Sequence, residues 1–158
     1  MADFYGTVAG YKAWADERGT SYSGKTDAQI EQALVRTSEY IDGAYAWPGS
    51  RTDGRSQVRQ WPRAWVIDTE GYGVPSDSVP TEVTNATYEG TARELVTAGA
   101  LSKDVKPGGG VIRRVKAGST EVEFQPNAAT QTTFTRIDQA LAPLIGGQSS
   151  YSGAASRA

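Results

Sequence analysis

Four arginines, Arg51, Arg55, Arg59 and Arg63, recur at every fourth position, and three tryptophans, Trp47, Trp61 and Trp65, are set among them. Guanidinium forks suit bidentate contact with phosphates or carboxylates, and aromatic rings interleaved with basic residues can stack on the bases of a single strand. On a continuous helix the four arginines would make one basic ridge. Gly54 and Pro62 interrupt such a helix. The block therefore reads as a loop that is either solvated, with Asp53 and Asp68 near enough to pair, or pinned to the core by its aromatics, with Arg stacked on Trp. A partner interface or a DNA-facing patch is the functional alternative.

The rest of the chain offers less chemistry. Asp68 with Glu70 and Glu121 with Glu123 are the carboxylate pairs close enough for acid–base or metal work. One pair flanks a glycine-rich turn and the other shares the wet face of a strand, so both read as solvated. Gly108-Gly109-Gly110 is not followed by the Lys-Ser/Thr of a phosphate-binding loop and reads as a hinge. Asn85-Ala86-Thr87 matches a glycosylation acceptor in form only. The chain has no histidine and no cysteine. The commonest general base, the thiol nucleophile, the usual zinc ligands and every disulfide are thereby removed. The expectation is a protein that is not an enzyme, with no catalytic residue, cofactor or metal. A formal charge of −2 argues against a chain that coats nucleic acid, although a local basic patch is compatible with it. No apolar run is long enough to span a membrane, and the N-terminus lacks the features of a signal peptide, so the cytosol is the expected compartment and no membrane partner is expected.

These residues need elements to hold them. Thr7 is placed to cap a first helix carrying Val8, Tyr11, Trp14 and Ala15, with Gly19 set to end it. Thr26 and Gln29 form a capping box ahead of the longest stripe, Ile30, Ala33, Leu34, Thr37, Ile41, Ala44 and Tyr45, which should end before Pro48. Residues 48–80 are rich in Gly, Pro, Ser and Asp and read as an extended loop with at most short helical pieces. Pro80 suits the first turn of a third helix, through Val83 and Leu95 to about Ala100. Residues 111–116 and 121–124 read as a β-hairpin. Phe134, Ile137, Leu141, Leu144 and Ile145 mark a last helix that Pro143 should kink or shorten. The fold class is mainly α: a small helical bundle with long loops, one β-hairpin and an extended C-terminal tail. Its expected divisions are a helical core domain at 1–105 with its long loop at 48–79, a hairpin and C-terminal helix at 106–145, and a Gly/Ser-rich tail at 146–158. That tail is too polar to order itself, so packing against neighbouring chains is expected to hold it.

Three stretches, 33–42, 47–54 and the Gln57-x-x-x-Trp61-Pro62-Arg63 element, together with Asp77-Ser78-Val79-Pro80, Val83 and Ala86-Thr87, resemble the head-to-tail connector or adaptor proteins of tailed bacteriophages. Some members of that group carry the label DnaT-like single-stranded DNA-binding protein. The resemblance spans roughly residues 4–145, and the Gln-x-x-x-Trp-Pro-Arg element is its most specific part. At Ser50 the chain departs from the group, where a second arginine is frequent. The resemblance implies a structural protein of the virion neck, assembled in the host cytoplasm. It would form a ring, commonly of twelve copies, that docks on the portal protein, meets a stopper or tail-completion protein, and lets double-stranded DNA pass without specific contact. Candidate contacts with the portal or a neighbouring subunit are Val111, Arg113, Arg114, Val122, Phe124, Phe134, Ile137, Leu141, Tyr151 and Arg157. Trp47, Arg51, Trp61, Pro62 and Arg63 are expected to anchor the loop. The alternative function is a single-stranded DNA-binding module built on Trp47, Trp61, Trp65 and the four arginines.

Overall fold

The computed structural model describes residues 4–102, 112–116, 121–124 and 134–146. Val111, Tyr151, Arg157, the glycine triplet and the tail lie outside the described residues, as do the side chains of Arg113, Arg114, Val122 and Phe124.

The fold is mainly α, with four helices among the described residues. Helix α1, Val8–Glu17, starts where the Thr7 hydroxyl accepts from the Gly10 N–H at 2.9 Å. Helix α2, Asp27–Ala44, starts at a reciprocal capping box: Gln29 N donates to Thr26 Oγ1 at 3.3 Å, and Thr26 N donates to Gln29 Oε1 at 2.9 Å. These side chains satisfy amides that the first helical turn leaves without partners. Helix α3, Thr81–Val96, begins after Pro80 but stops short of the expected Ala100. The reason is Glu94, which is buried and accepts from the backbone N–H groups of Gly99 at 2.9 Å and Leu101 at 3.0 Å, drawing the chain back on itself. Burial pushes the Glu94 pKa up, but those two amides and Arg36, at 2.8 Å, outweigh it and hold the carboxylate below its ordinary value.

Helix α4, Thr135–Ile145, keeps Pro143 inside its last turn and closes at Gly146, whose φ of 64° is the left-handed cap expected of glycine. Phe134, Ile137 and Leu141, expected to face a portal or a neighbouring subunit, are instead buried in this chain's own core. They pack with Ile41 and Tyr45 of the α2 region, Val83 and Ala86 of α3, and Trp61 and Val66 of the long loop. Three short helices cannot close a core without the apolar stripe of a fourth, so the stripe is consumed internally. A second apolar cluster, around Tyr11, Trp14, Ile30, Leu34 and Tyr88, holds α1 against α2 and α3.

Helices α2 and α3 lie in close contact at Gly90, where a Cβ would lie 2.4 Å from Thr37 Cγ2 and 3.1 Å from Leu101 Cδ1. Gly90→Ala is expected to destabilise the protein by about 1 to 3 kcal/mol through overpacking, despite the better helix propensity of alanine. Equilibrium unfolding in urea checks this, and a stabilised variant would show that the two helices can separate freely.

The hairpin is present as strands β3, Ile112–Lys116, and β4, Glu121–Phe124, antiparallel, with Arg114 opposite Glu123 and Lys116 opposite Glu121. The segment expected to be loop contains more structure than its composition suggests. Strands β1, Ser50–Arg51, and β2, Arg63–Ala64, pair antiparallel, with Ser50 opposite Ala64 and Arg51 opposite Arg63; a 3-10 turn spans Gly54–Ser56. A second turn-back follows, bridged between Ile67 and Gly73.

Candidate nucleic-acid interface

The Gln57-x-x-x-Trp61-Pro62-Arg63 element folds the long loop back on itself. Gln57 sits at its mouth: its amide nitrogen donates to the carbonyls of Arg59 and Pro62, both at 2.9 Å, and its amide oxygen accepts from Asp53 N at 3.1 Å. Trp61 enters the core, 2% exposed, and meets Trp47 edge-on with ring centroids 5.5 Å apart. Its backbone N–H donates to the Tyr5 hydroxyl oxygen at 3.1 Å, and that hydroxyl in turn donates to Asp42 of α2. Asp42 also accepts from Gln60 N at 3.2 Å and from Arg59 at 3.4 Å. Burial lifts the Asp42 pKa above its ordinary value, against the pull of these donors; burial and the hydrogen bond to Asp42 raise that of Tyr5.

Arg63 is the other half of the latch. At 7% exposure it is buried, and its guanidinium donates to the carbonyls of Pro48 (2.6 Å), Gly49 (2.8 Å), Gln60 (3.2 Å) and Trp47 (3.4 Å), and to the side-chain oxygen of Gln60 (2.8 Å). Burial, then Arg51 directly across the β1–β2 pair, pull its pKa down from the usual arginine value.

The arginines therefore do not form one surface. Arg63 is an internal clamp and Arg59 is tied to Asp42. Arg51 is half-buried, with one nitrogen on the Gln57 carbonyl at 2.9 Å, and Arg55 is exposed on the 3-10 turn. Trp61 is core and Trp47 is partly buried against it, whereas Trp65 is 89% exposed. Trp65 is also the one non-glycine residue with positive φ among the described residues, at 62°. A bulky side chain in left-handed backbone is strained, by about 1 to 3 kcal/mol, and such strain gathers at functional positions. Gly49 makes room for this backbone. A Cβ there would lie 2.2 Å from the Ala64 carbonyl and 3.2 Å from Trp65 C, and Gly49 itself has a φ of 66°.

Of the five large hydrophobic side chains exposed among the described residues, four belong to this loop: Val58, Trp65, Ile67 and Tyr72. Two of them, Trp65 and Ile67, share one surface, and contiguous exposed apolar surface marks binding sites. Trp65 and Ile67 border an open cleft of about 400 Å³ whose other walls are Ala64, Val66, Gly73, Val74 and Ser76. Its shape is fixed on several sides. Val74 N donates to the Val66 carbonyl at 3.0 Å, Asp68 accepts from Glu70 N and Tyr72 N at 2.9 and 2.8 Å, Thr69 N reaches the Pro143 carbonyl of α4 at 2.9 Å, and Thr52 donates to the Ser76 carbonyl at 2.8 Å. Asp68 is thus a turn-former, separate from any acid–base pair with Glu70. Ile67, Tyr72 and Val58 carried no sequence pattern that marked them, since one exposed apolar residue in a loop is ordinary.

Among the described residues, none group as three or more potential metal ligands, and no helix is long and apolar enough to cross a membrane. A family model described as "Putative DnaT-like ssDNA binding protein" matches residues 1–158. No curated protein and no solved structure matches the chain. The whole-chain match overturns the expected function of a phage head-to-tail connector and favours the alternative, a single-stranded DNA-binding module. The chain belongs to the family of DnaT-like single-stranded DNA-binding proteins.

Proposed function

We propose that the protein binds single-stranded DNA without catalysing a reaction on it, using the surface of the long loop. Trp65 is the stacking ring, and Arg51 and Arg55 meet phosphates. The observation that carries this reading is Trp65 itself, 89% exposed on strained backbone, in a loop whose other two tryptophans are withdrawn into the interior. A flat aromatic presented to solvent beside basic residues is the arrangement that sequence-tolerant single-strand binders use. The family match supports the same ligand.

Trp65→Ala is expected to weaken binding to a labelled oligothymidylate by about 1 to 3 kcal/mol, the contribution of one stacked base. Thermal unfolding should hardly change, because a ring so exposed contributes little to the core. Fluorescence anisotropy at low salt measures the first and calorimetry the second. Absence of binding by the native protein at low salt would sink the proposal.

A further inference from the structure

We infer that the site grips a very short stretch of single strand, about three nucleotides, chiefly through one unstacked base at Trp65 and with few phosphate contacts. This rests on the single-strand reading and specifies what that reading leaves open.

Charge limits the footprint first. Within residues 47–80 the arginines 51, 55, 59 and 63 are matched by Asp53, Asp68, Glu70 and Asp77, so the loop has no net charge. Arg63 is engaged with carbonyls and Arg59 with Asp42, while Arg51 spends one guanidinium nitrogen on the Gln57 carbonyl and keeps the rest of its fork for a ligand. An electrostatic track for a long strand needs a row of cations, and this loop presents Arg51 and Arg55. With about two phosphates neutralised, the slope of log K against log salt should be close to −1.4, on the basis of about −0.7 per phosphate in single strands.

Geometry then places the base. The cleft beside Trp65 has apolar walls in Ala64, Val66, Ile67 and Val74, with Ser76 at its edge and no charged residue lining it. It suits the face of a nucleobase and would reject a phosphate. Ala64 pairs with Ser50, so Trp65 lies level with Gly49, two residues before Arg51 along β1. Two strand residues span about 7 Å, roughly one nucleotide of extended backbone, so a base on Trp65 leaves its neighbouring phosphate within reach of Arg51. Arg55, on the turn that follows, meets the next one.

The test compares three probes on the intact protein by anisotropy: thymidine trinucleotide, the same trinucleotide with its central base removed, and an oligothymidylate of about 20 nucleotides. Expected are an affinity per register for the trinucleotide within about threefold of the long strand, a salt slope near −1.4, and a loss of roughly 5- to 150-fold on removing the central base. If the long strand binds, with a slope steeper than about −3, while the trinucleotide does not, the short footprint is overturned and single-strand binding stands. Equal binding by the abasic trinucleotide also overturns it, since the base would then be idle. If neither length binds at low salt, the single-strand reading itself fails.

Discussion

Trp61→Ala is expected to destabilise the protein by about 3 to 5 kcal/mol, the cost of removing a large aromatic from a packed interior. The ring is 2% exposed and lies in the cluster that joins the long loop to α2, α3 and α4. Its loss would leave Trp47 without its edge-on partner and open a cavity in a cluster drawn from α2, α3, α4 and the long loop, segments that cannot all collapse into it. Among the described residues the indole nitrogen has no hydrogen-bond partner, so the contribution is chiefly packing. Trp61→Phe should therefore cost much less than the alanine change. Urea unfolding of both variants checks this, and alanine and phenylalanine variants of equal stability would show that the ring is not what holds the loop.

Arg63→Met should cost about 3 kcal/mol although methionine has a similar reach and a more favourable transfer to the interior, because hydrogen bonds from a charged donor are worth about 1.5 to 3 kcal/mol and several are lost together. The carbonyls of Pro48, Gly49, Trp47 and Gln60 would face an apolar chain. Arg63→Lys should recover only part of the loss, since an ammonium has three donors and no planar fork to distribute among acceptors on both sides of the loop. Denaturant midpoints in the order native, lysine, methionine are the expected result. Full rescue by lysine would mean that charge alone, without the geometry of the fork, closes the loop.

Those two residues also show where the sequence was readable. The helices were legible because their starts use side chains with one job: Thr26 and Gln29 could be paired from spacing alone, and both bonds form. Strands β1 and β2 were not, because two residues each leave no room for alternation. Arg63 is expected from the sequence to anchor the loop, but its burial runs against the ordinary tendency of arginine to stay in water, and its neighbours do not announce the five carbonyl and amide oxygens that converge on it. Trp61 and Trp65 are the same residue four positions apart with opposite fates. Their difference goes with a left-handed backbone angle at Trp65, packed against Gly49 sixteen residues earlier, where there is no room for a Cβ. The spacing of Phe134, Ile137 and Leu141 marks the apolar face of α4 but not what covers it; only the full set of packed helices reveals that the chain uses this face in its own core.

The guanidinium of Arg63 among backbone oxygens occupies the role that a calcium or sodium ion plays in loops wrapped around a cation, where carbonyl dipoles converge on positive charge. Here the ion is tethered to the chain. The fold thus keeps a loop of more than thirty residues shut with a cation carried in its own sequence.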